Sequence, residues 1–265
     1  MTDYLISNLK QEIEVVLDRN RNSSSLIDDG DIDTLMQDDV IGATIVRAAQ
    51  IIEQNAPGYM IDADNNLYTY LNPLTPGPGI GSTLQPGISQ LPSATPIVLP
   101  KIVWEERSAG SYVGRLRLPP MLMRLMSVKM SDWSRPGRII TEDDAEYLWQ
   151  SSDFAGVRGN PHKPIAAIVT TDEGMTLELY SCKSISAKVE RGSYINYPEI
   201  NGDKISLAEK LKQSIVYEAA RLVCLSMGDV QTAAGLEQTA MRLAGMRQQA
   251  QQTVEAPQTQ QQEGE

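Results

Sequence analysis

The sequence predicts an α+β fold: N-terminal helices, a central antiparallel β-rich module with an extended Pro/Gly arm, and a C-terminal αα-hairpin packed with the N-terminal helices. Three observations predict it. Apolar residues recur at helical spacing at both ends of the chain, the spacing changes to two between Lys101 and Tyr197, and prolines and glycines crowd the stretch between Ala56 and Pro100. The boundaries that follow are 1–55, helical; 56–100, arm or loop; 101–200, β-rich; 201–247, helical hairpin; and 248–265, a Gln-rich tail.

Taken in order, Thr2 to Arg19 sets Leu5, Leu9, Ile13, Val16 and Leu17 on one face among charged Lys10, Glu12, Glu14 and Asp18, the pattern of an amphipathic helix. Asn20 to Ser25 is a polar break. Six aspartates then fall between Asp28 and Asp39, ahead of a second apolar face formed by Val40, Ile41, Thr44, Ile45, Ala48, Ile51 and Ile52. Thr34 with Gln37 has the form of a capping box, and acids at a helix start are favoured by its dipole. Asp29, Asp31 and Asp33 take positions 1, 3 and 5 of a calcium loop, but Thr34 replaces the glycine of position 6 and Val40 the bidentate glutamate of position 12. A solvated helix start is the better reading. Gly77, Gly79 and Gly81 resemble a phosphate loop only superficially, because prolines remove the N–H groups such a loop would use.

In the middle, Val113 to Leu118, Leu125 to Met130 and Met175 to Tyr180 alternate, and Ile165 to Val169 is a short apolar run. Ile185, Ala187 and Val189 give one more strand, and Thr141-Glu142-Asp143-Asp144 starts a short helix through Trp149. The C-terminal region has the strongest helical signals. Ser206-Leu207-Ala208-Glu209 is a capping box, and Leu207, Leu211, Ile215, Ala219, Leu222 and Val223 form one face, with Glu218 and Arg221 turned mostly away. Gly228 stops this helix. Asp229 caps the next, whose stripe is Ala233, Leu236, Ala240 and Leu243, and each arm is expected to run roughly 30 Å. Ala219, Ala220, Ala233, Ala234, Gly235, Ala240 and Ala244 are small enough for close approach.

Composition narrows the function. Of the net charge of −11, residues 1–66 hold 13 acids and 4 bases, a net −9, so a basic nucleic-acid footprint is absent. No run approaches the roughly 18 apolar residues of a membrane span, and an acidic Met1-Thr2-Asp3 opening is unlike a signal peptide, which predicts a protein retained in the cytosol of the cell that makes it. Cys182 and Cys224 read as buried thiols, and His162, the only histidine, as a loop residue. No nucleophile elbow, zinc-protease, P-loop or paired-cysteine motif occurs, so no catalytic residue, cofactor or metal is assigned and a non-enzymatic protein is expected.

The β module resembles a known family. Leu118-Pro119-Pro120-Met121-Leu122-Met123-Arg124-Leu125, Ser127-Val128-Lys129-Met130, Trp133-Ser134-Arg135-Pro136, Arg158-Gly159-Asn160-Pro161-His162-Lys163-Pro164-Ile165-Ala166-Ala167, Leu177 to Tyr180 and Val216 to Ala220 together look like the head-to-tail connector (portal adaptor) proteins of short-tailed phages, closest to ring proteins of crAss-like phages. The likeness spans about Arg117 to Gly245 and departs in the long arm and the Gln-rich end. It implies a structural virion protein at the head–tail junction, made in the host cytoplasm. Such a protein joins neighbouring copies in a twelvefold ring, docks on the portal, meets other tail or ring proteins, and extends a channel through which genomic DNA passes without specific binding. No membrane is involved. The other readings are a different phage tail-completion or assembly factor, or a small enzyme with a non-local carboxylate site. Gln248 to Glu265, with eight glutamines and Pro257, is expected to be disordered when free. On the connector reading Met246, Arg247, Gln248, Gln249, Gln252 and Val254 face the portal or a neighbour.

Overall fold

The computed structural model describes residues 1–20, 34–63, 65–71, 101–108, 111–152, 154, 156–172 and 174–246, and the fold is α+β. Asp29, Asp31 and Asp33 of the rejected calcium loop, Gly77, Gly79, Gly81 and the rest of 72–100, and the tail beyond Met246 lie outside the described residues.

The chain opens with a strand where the sequence predicts helix: β1 (Thr2–Leu5) precedes α1 (Ile6–Asn20). The reason is non-local. β1 pairs antiparallel with β11 (Lys204–Leu207), Thr2 against Leu207 and Leu5 against Lys204, and the Ser206 hydroxyl donates to Asp3. Ser206 is therefore a strand residue and caps nothing; Glu209–Leu211 forms a 3-10 turn, and the first hairpin helix starts at Lys212. α2 (Asp38–Asn55) begins after Gln37, whose side chain makes no capping bond, so the helix starts four residues beyond the predicted Thr34 cap. The aspartates Asp38 and Asp39 in its first turn meet the dipole instead.

The region read as arm begins with ordered structure. A 3-10 turn (Gly58–Met60), β2 (Asn65–Asn66) and α3 (Leu67–Leu71) follow α2, and Leu67 is fully buried. Its side chain lies so close to Gly192 that an added Cβ there would stand 2.8 Å from it, which is why that position takes glycine.

The β module comprises β3 (Val103–Ser108), β4 (Ser111–Arg117), β5 (Leu122–Met130), β6 (Arg138–Thr141), α4 (Ala145–Trp149), β7 (Ile165–Thr171), β8 (Gly174–Cys182), β9 (Val189–Asn196) and β10 (Ile200–Asn201). Among the described residues the sheet orders are β1-β11-β10, β2-β9-β5 and β3-β4-β8-β7-β6. One pairing departs from the predicted antiparallel module: β6 runs parallel to β7. Parallel neighbours need a crossover of a dozen or more residues, and the α4 segment between Thr141 and Ile165 provides it. Ile185 and Ala187 belong to a turn rather than a strand, because Ser184 accepts from the Ser186 N–H at 3.0 Å and holds the backbone out of the ladder; the strand starts at Val189.

The C-terminal hairpin is α5 (Lys212–Ser226) and α6 (Val230–Leu243), which at ~1.5 Å per residue makes arms of about 22 Å, shorter than the sequence suggests because Ser206 to Leu211 is not α-helical. Gly228 sits at φ +79° and Asp229 accepts from the Thr232 N–H at 3.0 Å, the predicted stop and cap. The buried Ser214 hydroxyl donates to the Ala240 carbonyl at 2.7 Å and ties the arms together. Leu243 is 39% exposed, Ala234 and Gly235 face solvent, and Glu218, predicted to turn outward, is buried with a bidentate partner in Arg221 at 2.6 and 2.8 Å.

Leu9 and Ile13 of α1, Ile41, Ile45 and Ile52 of α2, and Leu211, Ile215, Ala219 and Leu236 of the hairpin share one apolar core. Full burial of a leucine or isoleucine contributes roughly 1.5–3 kcal/mol. Leu116, Leu122, Met130, Trp133 and Leu177 anchor a second core within the sheets. Arg124 on β5 joins the two: its guanidinium donates to the carbonyls of Gln54 and Ala56 at 3.1 and 2.6 Å, with a longer contact to Glu53 at 3.4 Å. These are the C-terminal carbonyls that α2 leaves without intrahelical partners.

Candidate interaction surface and buried carboxylates

Of the residues expected to face a portal or neighbour, Met246 is half-buried against the helical core, following Gly245 at φ +69°; Arg247, Gln248, Gln249, Gln252 and Val254 lie outside the described residues. Tyr59 stands over this hairpin end, its hydroxyl oxygen 3.0 Å from where a Gly245 Cβ would lie.

Two motif stretches of the sequence meet in the β module. The Ser134 N–H and hydroxyl both donate to the Pro161 carbonyl, at 2.9 and 3.0 Å, and the Arg138 N–H donates to Pro164 at 2.9 Å. Two residues shape the joint. Gly137 lies under the Trp133 ring, where a Cβ would be 2.6 Å from the nearest ring carbon, and the Asn160 side chain accepts from the N–H groups of His162 and Lys163 at 3.0 Å. His162 is exposed in this turn, as the sequence predicts. Together the stretches line an open cleft of about 530 Å³ with Arg135, Arg158 and Lys163 on it, beside Trp149 and Val157. Arg138 also lines it, paired to Glu146 at 2.7 Å.

Two buried carboxylates, neither singled out by the sequence, have contrasting surroundings. Glu178 on β8 accepts from the Tyr180 hydroxyl at 2.6 Å, from Arg115 at 3.0 Å and from the Tyr147 hydroxyl at 3.2 Å, while Arg107 lies over the Tyr180 ring at 5.4 Å. Burial pushes its pKa up, but these three donors and the Arg115 charge outweigh burial and hold it below the usual carboxylate value. The register places Arg115 directly opposite Glu178, and Tyr180 follows it by one strand period. Both oxygens accept, Oε1 from Arg115 and Oε2 from the two tyrosines, so the carboxylate holds β4, β8 and α4 together.

Glu53, fully buried in α2, has one donor: the Ala208 N–H reaches Oε1 at 3.2 Å, and Oε2 has no hydrogen-bond partner. Burial raises its pKa to about 7, against the smaller opposite effects of the Ala208 N–H and the positive charge at residue 1. It lines a polar cleft of about 420 Å³ that also takes in Asp3, Asn196, Glu199 and Ser206. The signal for it was in the sequence: Glu53 falls four residues after Ala49 and eight after Ile45, on the apolar face of its helix.

Among the described residues no group of three or more His, Cys, Asp or Glu side chains could hold a metal, and no helix is long and apolar enough to cross a membrane. Both cysteines are buried free thiols, as predicted, and burial pushes Cys182 up to about 12 and Cys224 to about 11. Compared with known proteins, the chain matches no family model and no curated sequence.

Proposed function

We propose that the chain is a non-enzymatic structural protein of a phage virion, a connector ring at the head–tail junction that docks on the portal, extends the DNA channel and joins capsid to tail. One observation supports it above the others. Two stretches that carry the connector resemblance, Trp133 to Pro136 and Arg158 to Ala167, are hydrogen-bonded to each other through Ser134 and Pro161, and their Trp133, Ala166 and Ala167 are buried, as are Leu118, Leu122, Val128, Leu179, Val216 and Ala220 of the other stretches.

In this reading the chain is monomeric or weakly associated alone, and the portal templates neighbouring copies into a closed ring through heterologous contacts, twelve in number if the ring matches the connectors it resembles. The Gln-rich residues 248–265 lie along the portal. The acidic N-terminal region offers DNA no counterion-release term, so the genome slides without being held. Sedimentation with and without the cognate portal tests this: a ring of fixed stoichiometry is expected only in the mixture, and absence of any association overturns it. Hydrogen exchange on 248–265 that stays fast in the complex, with full portal binding by a chain ending at Arg247, would leave the tail without a docking role.

A further inference from the structure

The polar cleft of about 420 Å³ at Glu53 is assembled from three elements. Pairing of β1 with β11 sets Asp3 opposite Ser206, pairing of β9 with β5 sets Asn196 opposite Leu122, and α2 brings in Glu53, whose Oε1 takes the Ala208 N–H. Two acceptors are left over. Glu53 Oε2 and Asn196 Oδ1 are both buried and have no hydrogen-bond partner among the described residues, although Glu53 is fully buried. Two orphaned oxygens on one cleft call for a donor that the protein does not supply. The charge balance points the same way. Asp3 and Glu199 are exposed on the lining, and among the described residues it includes no lysine or arginine. The Met1 ammonium is also there, but it has a partner and sets one positive charge against three carboxylates. Met121, unbranched and exposed on the cleft, is the side chain placed to swing aside and admit a ligand to the buried oxygens.

We propose that this cleft binds the ammonium head of a primary alkylamine, with Glu53 Oε2 and Asn196 Oδ1 accepting its N–H groups, Asp3 and Glu199 adding negative charge, and Met121, Tyr197 and Pro198 lying along the alkyl stem. A guanidinium fits less well. Its fork is best met by both oxygens of one carboxylate, but Oε1 of Glu53 is committed to Ala208 and Oδ1 of Asp3 to the Ser206 hydroxyl. An ammonium is a compact charge with three rotatable donors, which suits single oxygens on separate residues. A metal ion is disfavoured because, among the described residues, no group of three or more His, Cys, Asp or Glu side chains could hold one. This site is independent of the connector reading.

Butylammonium chloride titrated into the full-length protein, followed through the amide resonance of Ala208, the donor to Glu53, tests the proposal. A saturable shift is expected, with butylguanidinium binding more weakly and sodium chloride at equal ionic strength producing no saturation. Affinity should rise about tenfold between about pH 6 and 8, as Glu53, its pKa raised to about 7, gives up its proton. The other charges facing it are Asp3, Glu199 and the Met1 ammonium, while Arg124 reaches only its carbonyl. Glu53→Gln should abolish that rise and weaken binding about tenfold at the upper pH. Asn196→Ala, which spares Glu53, should weaken it severalfold, and Asp3→Asn, at an exposed position, by about twofold. Nα-acetyl-lysine amide distinguishes the source: tighter binding than butylammonium assigns a lysine side chain of a protein, weaker binding a free amine, and either supports the ammonium site. Absence of saturation, equal saturation by sodium, tighter binding of butylguanidinium, or unchanged affinity in both Glu53→Gln and Asn196→Ala overturns the proposal.

Discussion

Glu53 and Glu178 are both almost wholly removed from solvent, yet one is pushed toward its neutral form and the other held charged. The difference lies in what each layer supplies. Antiparallel register puts Arg115 and Tyr180 beside Glu178, and Tyr147 reaches it from α4, so three donors meet two oxygens. The helical layer offers Glu53 a single backbone N–H, since the neighbouring N–H groups of a helix interior are already used. Burial alone does not set the state of a carboxylate; the donors that the local backbone geometry delivers do.

The largest expected effect tests the helical side of this contrast. Leu211→Asp places a carboxylate at a fully buried position with no donor provided for it, and should cost about 4 kcal/mol or more and unfold the chain near ambient temperature. A melting temperature equal to that of the natural protein would mean the hairpin face is not core.

The two glutamates should also give stability opposite pH slopes. Glu53 has its folded pKa raised from 4.5 to about 7, so its stabilising contribution is complete below about pH 4.5 and is lost as pH rises through 7, a fall of about 3 kcal/mol. Glu178 has its folded pKa lowered, so its contribution is present above the usual carboxylate range and is lost as pH falls through it. Glu53→Gln should flatten the decline between pH 4.5 and 7 in denaturant titrations, leaving the acid-side loss in place. An unchanged slope would remove Glu53 as its source.

A smaller effect sharpens the sheet side. Tyr180→Phe deletes the shortest donor to Glu178 and should cost roughly 2 kcal/mol, while Tyr147→Phe, at a longer distance and with a half-buried ring, should cost less. Equal costs would show that the two hydroxyls are interchangeable.

What could be read from the sequence follows the same division between local and non-local causes. Asp229, Gly228, the apolar faces of Ile41 to Ile52 and the alternation of Met175 to Tyr180 are local signals, and they give the α+β fold and the hairpin. Thr2–Leu5 and Ser206 depart from their local signals because each is made a strand by a partner some two hundred residues away, which overrides helical spacing and cap chemistry alike. The parallel β6 and β7 pair was hidden for a related reason, since alternation carries no direction. Of the expected interface, Met246 alone falls among the described residues. The basic cleft needed Ser134 and Pro161 to be brought together, which no spacing rule foretells.

A connector must join a portal. Mass measurement of the purified protein alone and mixed with its cognate portal tests that most directly: monomer or weak oligomer is expected alone and one discrete complex of fixed copy number in the mixture. Two unassociated species at every ratio would contradict it.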